Sequence, residues 1–192
     1  MRGEAEDADD VALLARVASH DAHALEALFA RHHPAMYRHA VLLSHDAAAA
    51  DDALQETFLA VWKHAKAFRG ATSVRAWLYT IARNAVRRQF RKKAGEEDVV
   101  PLETLGADAG WGDVSATDRV GAAVEDRERV HKALAIMAEA DREVLSLVDV
   151  EGLSLEEAAV ALELGLPAMK SRLHRARLRF VAALAKEDGH AG

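Results

Sequence analysis

Two small all-α helical domains joined by an acidic flexible linker, the second carrying a helix-turn-helix, is the architecture this sequence predicts, and three observations predict it. Of 192 residues, 51% are hydrophobic but only 5% aromatic, and the apolar positions are mostly Ala, Leu and Val at helical spacing rather than in β-branched runs. Two periodic stretches, residues 9–93 and about 125–184, flank a Gly- and acid-rich segment with no sustained apolar period. Ser154-Leu155-Glu156-Glu157 is a capping box, in which the Ser hydroxyl accepts from the Glu157 amide and the Glu157 carboxylate from the Ser154 amide. The helix it starts leads through a short turn into a basic helix, the order of a helix-turn-helix.

Taken in order, residues 1–93 form the first domain. Their periodicity breaks at Ser19-His20-Asp21, at Ser44-His45-Asp46 and at Arg69-Gly70-Ala71-Thr72-Ser73, which gives about four helices. Residues 94–124 form the linker, with Gly95, Pro101, Gly106, Gly110 and Gly112 among Glu96, Glu97, Asp98, Glu103, Asp108, Asp113 and Asp118. Residues 125–192 form the second domain. A helix from about Asp141 to Val150 ends at Glu151-Gly152, the capped helix follows, a turn lies at Glu163-Leu164-Gly165, and the last helix starts at Leu166. The residues from Lys186 onward are expected to fray.

Composition narrows the function. Cysteine is absent, which removes disulfides, thiolate metal sites and cysteine nucleophiles. No apolar run approaches the ~20 residues that cross a bilayer, and Met1–Asp10 is acidic, unlike a signal or transit peptide. The expectation is a soluble cytoplasmic protein with no direct membrane insertion. Lys and Arg number 25 against 31 Asp and Glu, a formal charge of −6, but the cations are clustered. Arg83, Arg87, Arg88, Arg91, Lys92 and Lys93 form one acid-free block, and Lys170, Arg172, Arg175, Arg177 and Arg179 form another. His20, His23, His32, His33 and His39 are dense, but they contain no HExxH pair, so no metal is expected. No Ser-His-Asp context, Gly-rich phosphate loop or carboxylate pair points to catalysis. The chain reads as a non-enzyme without a cofactor.

Three surfaces carry chemistry. A 100° step along Asp51–Ala65 puts Leu54, Phe58, Val61 and Ala65 on a core face, with Asp52, Gln55, Glu56, Leu59 and Lys63 opposite. That second face is either solvated surface or a dock for a basic partner helix. Along Val74–Lys93, Val74, Leu78, Ile81 and Ala85 form an inner stripe, and Tyr79, Arg83, Arg87 and Phe90 an outer one. Rings that stack on unpaired bases contribute ~1–3 kcal/mol each while guanidiniums hold phosphates, so the outer stripe suits melted DNA. Asn84 and Trp77 flank it. Asn pairs bidentately with an accessible adenine edge, whereas packing beneath the first helices explains Trp77 equally well. On the last helix Met169, Leu173, Ala176 and Phe180 face the core. Lys170, Ser171, His174 and Arg175 then face out toward base edges, with Arg172, Arg177 and Arg179 at the margins toward phosphates.

These residues resemble a known family. Asp51-Asp52-Ala53-Leu54-Gln55-Glu56-Thr57-Phe58, Trp62, Phe68-Arg69-Gly70 and Ala76–Asn84 are similar to region 2 of the extracytoplasmic-function sigma factors of the sigma-70 family. Asp141–Leu145, Glu151–Ser154, Glu156–Ala159 and Lys170–Arg177 are similar to region 4. The resemblance implies an alternative sigma factor that binds core RNA polymerase and directs promoter-specific initiation, under control of an anti-sigma factor. Asp51, Asp52, Gln55, Glu56 and Leu59 would bind the β′ clamp. Phe68, Arg69, Trp77, Tyr79, Arg83, Asn84, Arg87, Arg88 and Arg91 would open and hold the −10 element. Region 4 would meet the β flap and read the −35 element through Lys170, Ser171, Arg172, His174, Arg175, Arg177 and Arg179. The sequence departs from the family pattern at the turn, where Glu163 stands in place of the usual Gly and Gly165–Met169 in place of Ser-x-Gly-Thr-Val. Gly165 still suits a cap and Pro167 a first helical turn.

Two other readings fit part of the chain. A duplex-binding repressor or activator accounts for the second domain and leaves the Tyr79–Phe90 stripe unused. A decoy that titrates an anti-sigma factor has no need of Arg83, Arg87, Arg88, Lys170 and Arg175.

Overall fold

The computed structural model describes residues 2–93, 129–130, 132–134 and 136–188, and among them every regular element is helical. The segment expected as the linker, 94–124, lies outside the described residues. In the first block α1 spans Arg2–Ala18, α2 Ala22–Ser44, α3 Ala47–His64 and α4 Val74–Lys93, with a 3₁₀ turn at Ala65–Ala67. In the second, α5 spans Glu139–Leu145 and runs into a π-helical turn at Ser146–Val150; α6 spans Leu155–Ala161 and α7 Leu166–Asp188.

Each break has a local cause. His20 and His45 take left-handed backbone, at φ 64° and 54°. At the end of α1 the Asp21 and His20 amides reach back to the Arg16 and Val17 carbonyls, a Schellman closure that satisfies carbonyls the helix leaves open. Asp21 and Asp46 then cap α2 and α3, their carboxylates accepting from the Ala24 amide and from those of Ala48 and Ala49, an arrangement each worth about 1 kcal/mol. The capping box forms as expected, with the Ser154 hydroxyl 3.1 Å from the Glu157 amide and the Glu157 carboxylate 2.7 Å from the Ser154 amide. The helix expected over 141–150 changes pitch at Ser146, and Gly152 at φ 69° lets the chain turn away after it.

The expected core stripes are buried. Leu54, Phe58 and Val61 of α3 and Ala65 of the 3₁₀ turn pack with Val74, Leu78 and Ala85 of α4, and Met169, Leu173 and Ala176 of α7 face the second block, while Ile81 and Phe180 are half-buried. Burying side chains such as Leu78 and Leu147 contributes about 1.5–3 kcal/mol each. The two blocks are not separate bodies joined only through a linker, because α4 packs along α6, α2 meets α5, and their apolar side chains form one continuous cluster. That packing decides which candidate residues are accessible.

Candidate nucleic-acid interface

The outward face of α3 is exposed at Asp51, Asp52, Gln55 and Leu59, the last at 52%. Glu56 differs. Its carboxylate turns toward α4 and accepts from Gln89 Nε2 at 2.7 Å and Arg88 Nη1 at 3.3 Å. Beside this face α2 and α3 enclose an apolar groove of about 600 Å³, lined in part by Leu25, Phe29 and His33 of α2 and Gln55, Leu59 and Trp62 of α3. The Phe29 ring meets Phe58 edge-on at 4.8 Å and His33 at 4.5 Å. Sequence reasoning missed Phe29, His33 and Trp62 as groove walls. The signal was present in a Phe29/His33 pair four residues apart, the spacing that stacks side chains on one helical face.

The outer stripe of α4 requires a correction. Tyr79 and Arg83 do not face solvent: they are 2% and 6% exposed, because the second block lies over them. Arg83 Nε donates to Glu143 at 2.7 Å, and its Nη1 stands 3.8 Å from Glu163. The Tyr79 ring meets His39 edge-on at 5.2 Å, and burial pushes its phenol well above the ordinary tyrosine range. Arg87 is half-buried, and desolvation followed by the Arg83 charge lowers its pKa. The half-buried Trp77 packs against Phe68 at 5.5 Å, and Arg69 is exposed in the loop before α4. Asn84 and Arg91 are half-buried, and Arg88 and Phe90 are exposed.

The cover over Tyr79 and Arg83 is polar and charged. Arg38 of α2 forms two hydrogen bonds to Glu151, the shorter 2.8 Å. Arg75 of α4 reaches the Gly152 carbonyl and the Glu157 carboxylate, each at 3.1 Å. Ser73 also donates to Glu157 while accepting from the Ala76 amide, so one carboxylate of the helix-turn-helix ties down the start of α4. Burial raises the pKa of Glu143 and of Glu151 against the lowering effect of their arginine partners. For Glu157 burial also raises it, but Ser73, the Ser154 amide and Arg75 together bring the net shift down. His39 is fully buried beside Arg83, with Nδ1 3.3 Å from Ser146 Oγ, and desolvation lowers its pKa to about 3.

The N-terminal helix supports the same region. Asp7 accepts from the Val74 amide at 2.8 Å and so caps α4 from a helix 67 residues earlier. The nearly inaccessible Asp10 accepts from Arg31 at 2.6 Å and His32 at 2.7 Å, which fixes α1 on α2.

On α7 Lys170, Ser171, His174 and Arg175 are exposed and share one side. Arg172 is half-buried. The other two margin arginines are engaged within the block, Arg177 with Asp149 at 2.5 Å and Arg179 with Asp141. The turn before α7 is a Schellman closure in which the Leu164 amide reaches the Ala159 carbonyl and the Glu163 amide that of Val160. Glu163 occupies its left-handed position at φ 56°, where Gly is favoured because a Cβ there costs about 1–2 kcal/mol.

Comparisons with known proteins agree with this layout. Residues 28–96 match the sigma-70 region 2 family model, and residues 127–180 match sigma-70 region 4. The chain is 34% identical over 175 residues to the ECF RNA polymerase sigma factor SigM of Mycobacterium tuberculosis, covering 91% of this chain and 84% of that one. It is 33% identical over 185 residues to the RNA polymerase sigma factor CnrH of Cupriavidus metallidurans, covering 93% and 95%. Among solved structures, CnrH in complex with the cytosolic domain of CnrY superposes with a TM-score of 0.67 at 29% identity, over 93% of this chain and 98% of that one. The sigma factor RpoE bound to the anti-sigma factor NepR from Bartonella quintana does so at 0.60 and 27%, over 83% and 96%.

Proposed function

We propose a division of labour within this chain, which belongs to the extracytoplasmic-function family of RNA polymerase sigma factors. It directs core polymerase to promoters, and each surface described above supplies one step. The exposed face of α3 with its apolar groove docks on the β′ clamp, through Asp51, Asp52, Gln55, Leu59 and the added walls Phe29 and Trp62. The α4 face grips the unpaired −10 strand, Tyr79 and Trp77 stacking on bases and Arg83, Arg87 and Arg91 meeting phosphates. Helix α7 enters the major groove of the −35 element with Lys170, Ser171, His174 and Arg175 toward the bases. Arg177 and Arg179 exchange their internal carboxylates for phosphates only when DNA displaces Asp149 and Asp141.

The observation that carries this reading is an acidic-apolar dock and an exposed cationic recognition helix on one framework, beside the cationic α4 whose Tyr79 and Arg83 the second block covers. The reading takes residues 1–93 and 125–192 as the two domains and 94–124 as an acidic linker suited to the cationic cleft of the polymerase. Such a chain binds and positions; it is not an enzyme. It works in the cytoplasm, where polymerase and promoters are, and no described helix is long and apolar enough to cross a membrane. Sigma relatives solved with bound regulators support control by an anti-sigma factor that competes for the docking face. Run-off transcription with core polymerase on promoters selected from a random library tests the reading. Discrete, sequence-dependent start sites are expected, with their loss in a Gln55→Ala/Leu59→Asp variant that still folds. Transcription no different from core alone would refute it.

A further inference from the structure

We propose that Asp7 of α1 is a positioning residue for promoter recognition: hung from α2, it holds the first amide of α4 and thereby sets the path of the loop 69–73 that meets the −10 element. That role rests on the sigma-factor reading, in which Phe68 and Arg69 act at this element. Both ends of the loop lie against α1. The helix packs on the 3₁₀ turn Ala65–Ala67 before the loop and on α4 after it, and Asp7 Oδ1 accepts from the Val74 amide at 2.8 Å. Between those holds Arg69, Gly70 and Ala71 are exposed. No core packing fixes them, so their course follows from where the two ends are held.

Asp7 completes a cap that α4 makes only in part by itself. The first amides of a helix have no acceptor within it. The Ser73 hydroxyl accepts from the Ala76 amide at 3.2 Å, and the Val74 amide is left to Asp7. A carboxylate there also suits the positive end of a 20-residue helix. The two ties differ in one respect. Ser73 is shared with Glu157 of the second block, whereas the Asp7 bond lies wholly within the first block and does not depend on the second.

The carboxylate is presented from a fixed frame. One turn further along α1, Asp10 accepts from Arg31 at 2.6 Å and His32 at 2.7 Å, and Leu14 and Val17 are buried in the core. Just past the other end of the helix the His20 ring meets Trp62 edge-on at 5.5 Å, and Trp62 walls the docking groove. Helix α1 is therefore a strut about 17 Å long from Asp7 to Ala18, with the polymerase-docking groove at one end and the −10 loop at the other. Base selection needs such a frame, because recognising groups must be held within about 0.5 Å of their working geometry by the residues around them.

The test is run-off transcription by core polymerase with the full chain, on a promoter selected from a random library and on copies bearing single substitutions in its −10 element. The readout is the ratio of transcript from the selected promoter to transcript from each copy. Asp7→Ala is expected to lower that ratio about three- to tenfold, out of the roughly 5- to 150-fold that one base pair commands. Its affinities for core polymerase and for −35 duplex, which engage distant surfaces, stay within about twofold of wild type. Asp7→Asn, whose side-chain oxygen still accepts from the Val74 amide, is expected to keep the wild-type ratio. An unchanged ratio in Asp7→Ala overturns the proposal, including the case in which all transcripts fall together as they would for a merely less stable chain. A ratio as low in Asp7→Asn as in Asp7→Ala also overturns it, because the lost acceptor would then not be the cause. A wild-type chain that starts no discrete transcripts overturns the sigma reading itself, so the two failures are told apart.

Discussion

Replacing His39 by Gln should remove a pH dependence that the fold builds into its centre. The imidazole lies between α2, α4 and the π-helical turn, with Nδ1 on Ser146 Oγ and the Tyr79 ring against it, and Nε2 meets no hydrogen-bond partner. Desolvation first, and the Arg83 charge second, lower its pKa from 6.5 to about 3. The sign follows from proton uptake: between those values the unfolded chain binds a proton that the folded chain refuses. Stability from this site is therefore complete above pH 6.5 and is lost as pH falls toward 3. Integrated from pH 7 to pH 5, the loss is about 2 kcal/mol, from ~1.4 kcal/mol per pH unit once the unfolded imidazole is charged. Glu143 and Glu151, whose pKa values are raised, work in the opposite direction over the acid end of this range. The quantity to measure is thus the difference between wild type and His39→Gln in urea unfolding at the two pH values. The wild type should lose about 2 kcal/mol more than the variant between pH 7 and pH 5. Equal losses in both proteins would refute the reasoning, since His39 would then titrate as it does in water.

Other substitutions separate the support from the surfaces. Asp10→Asn should destabilise the chain by about 2–4 kcal/mol in chemical denaturation, because it strips the buried partner of His32 and Arg31; a change below about 0.5 kcal/mol would contradict the staple. Leu59→Asp should leave stability within about 0.5 kcal/mol, as expected of an exposed site. It should weaken core polymerase binding about tenfold or more in fluorescence anisotropy. Lys170→Ala and Arg175→Ala should each lower −35 duplex affinity and flatten the slope of log affinity against log salt by about one; an unchanged slope would place α7 away from the DNA. Asp7→Ala should cost about 1 kcal/mol through the lost cap on α4, measured as a lower unfolding midpoint without loss of duplex binding.

What the sequence disclosed and what it hid divide along contact range. The two faces of α3 follow from a 100° step, so Leu54 and Phe58 against Asp52 and Leu59 needed no knowledge of neighbours. The capping box at Ser154 and the break at Asp46 are equally local. A helical wheel with one inner stripe puts Tyr79 and Arg83 outside, whereas α4 is covered on two sides. Its second cover comes from Glu143 and Glu163, 60 and 80 residues further along the chain, and no local periodicity reports a docking at that range. Glu56 shares the outward face of α3 by spacing alone for a similar reason, since its partners Arg88 and Gln89 lie on another helix. The left-handed strain at Glu163 was half legible: its place in the family turn marked a departure, but only the backbone shows that this is the position where a side chain is disfavoured. Phe29 pairs with His33 at helical spacing, but it and Trp62 become walls of one groove only through the packing of α2 on α3.

The most direct measurement of the central claim is permanganate reactivity of promoter thymines in the complex of core polymerase with this chain. Thymines of the −10 element should become reactive with the wild-type chain and stay protected when Tyr79 and Arg83 are both replaced by Ala, with −35 binding retained. A promoter that opens as well with the double variant would contradict the account, as would one that the wild-type complex holds fully paired.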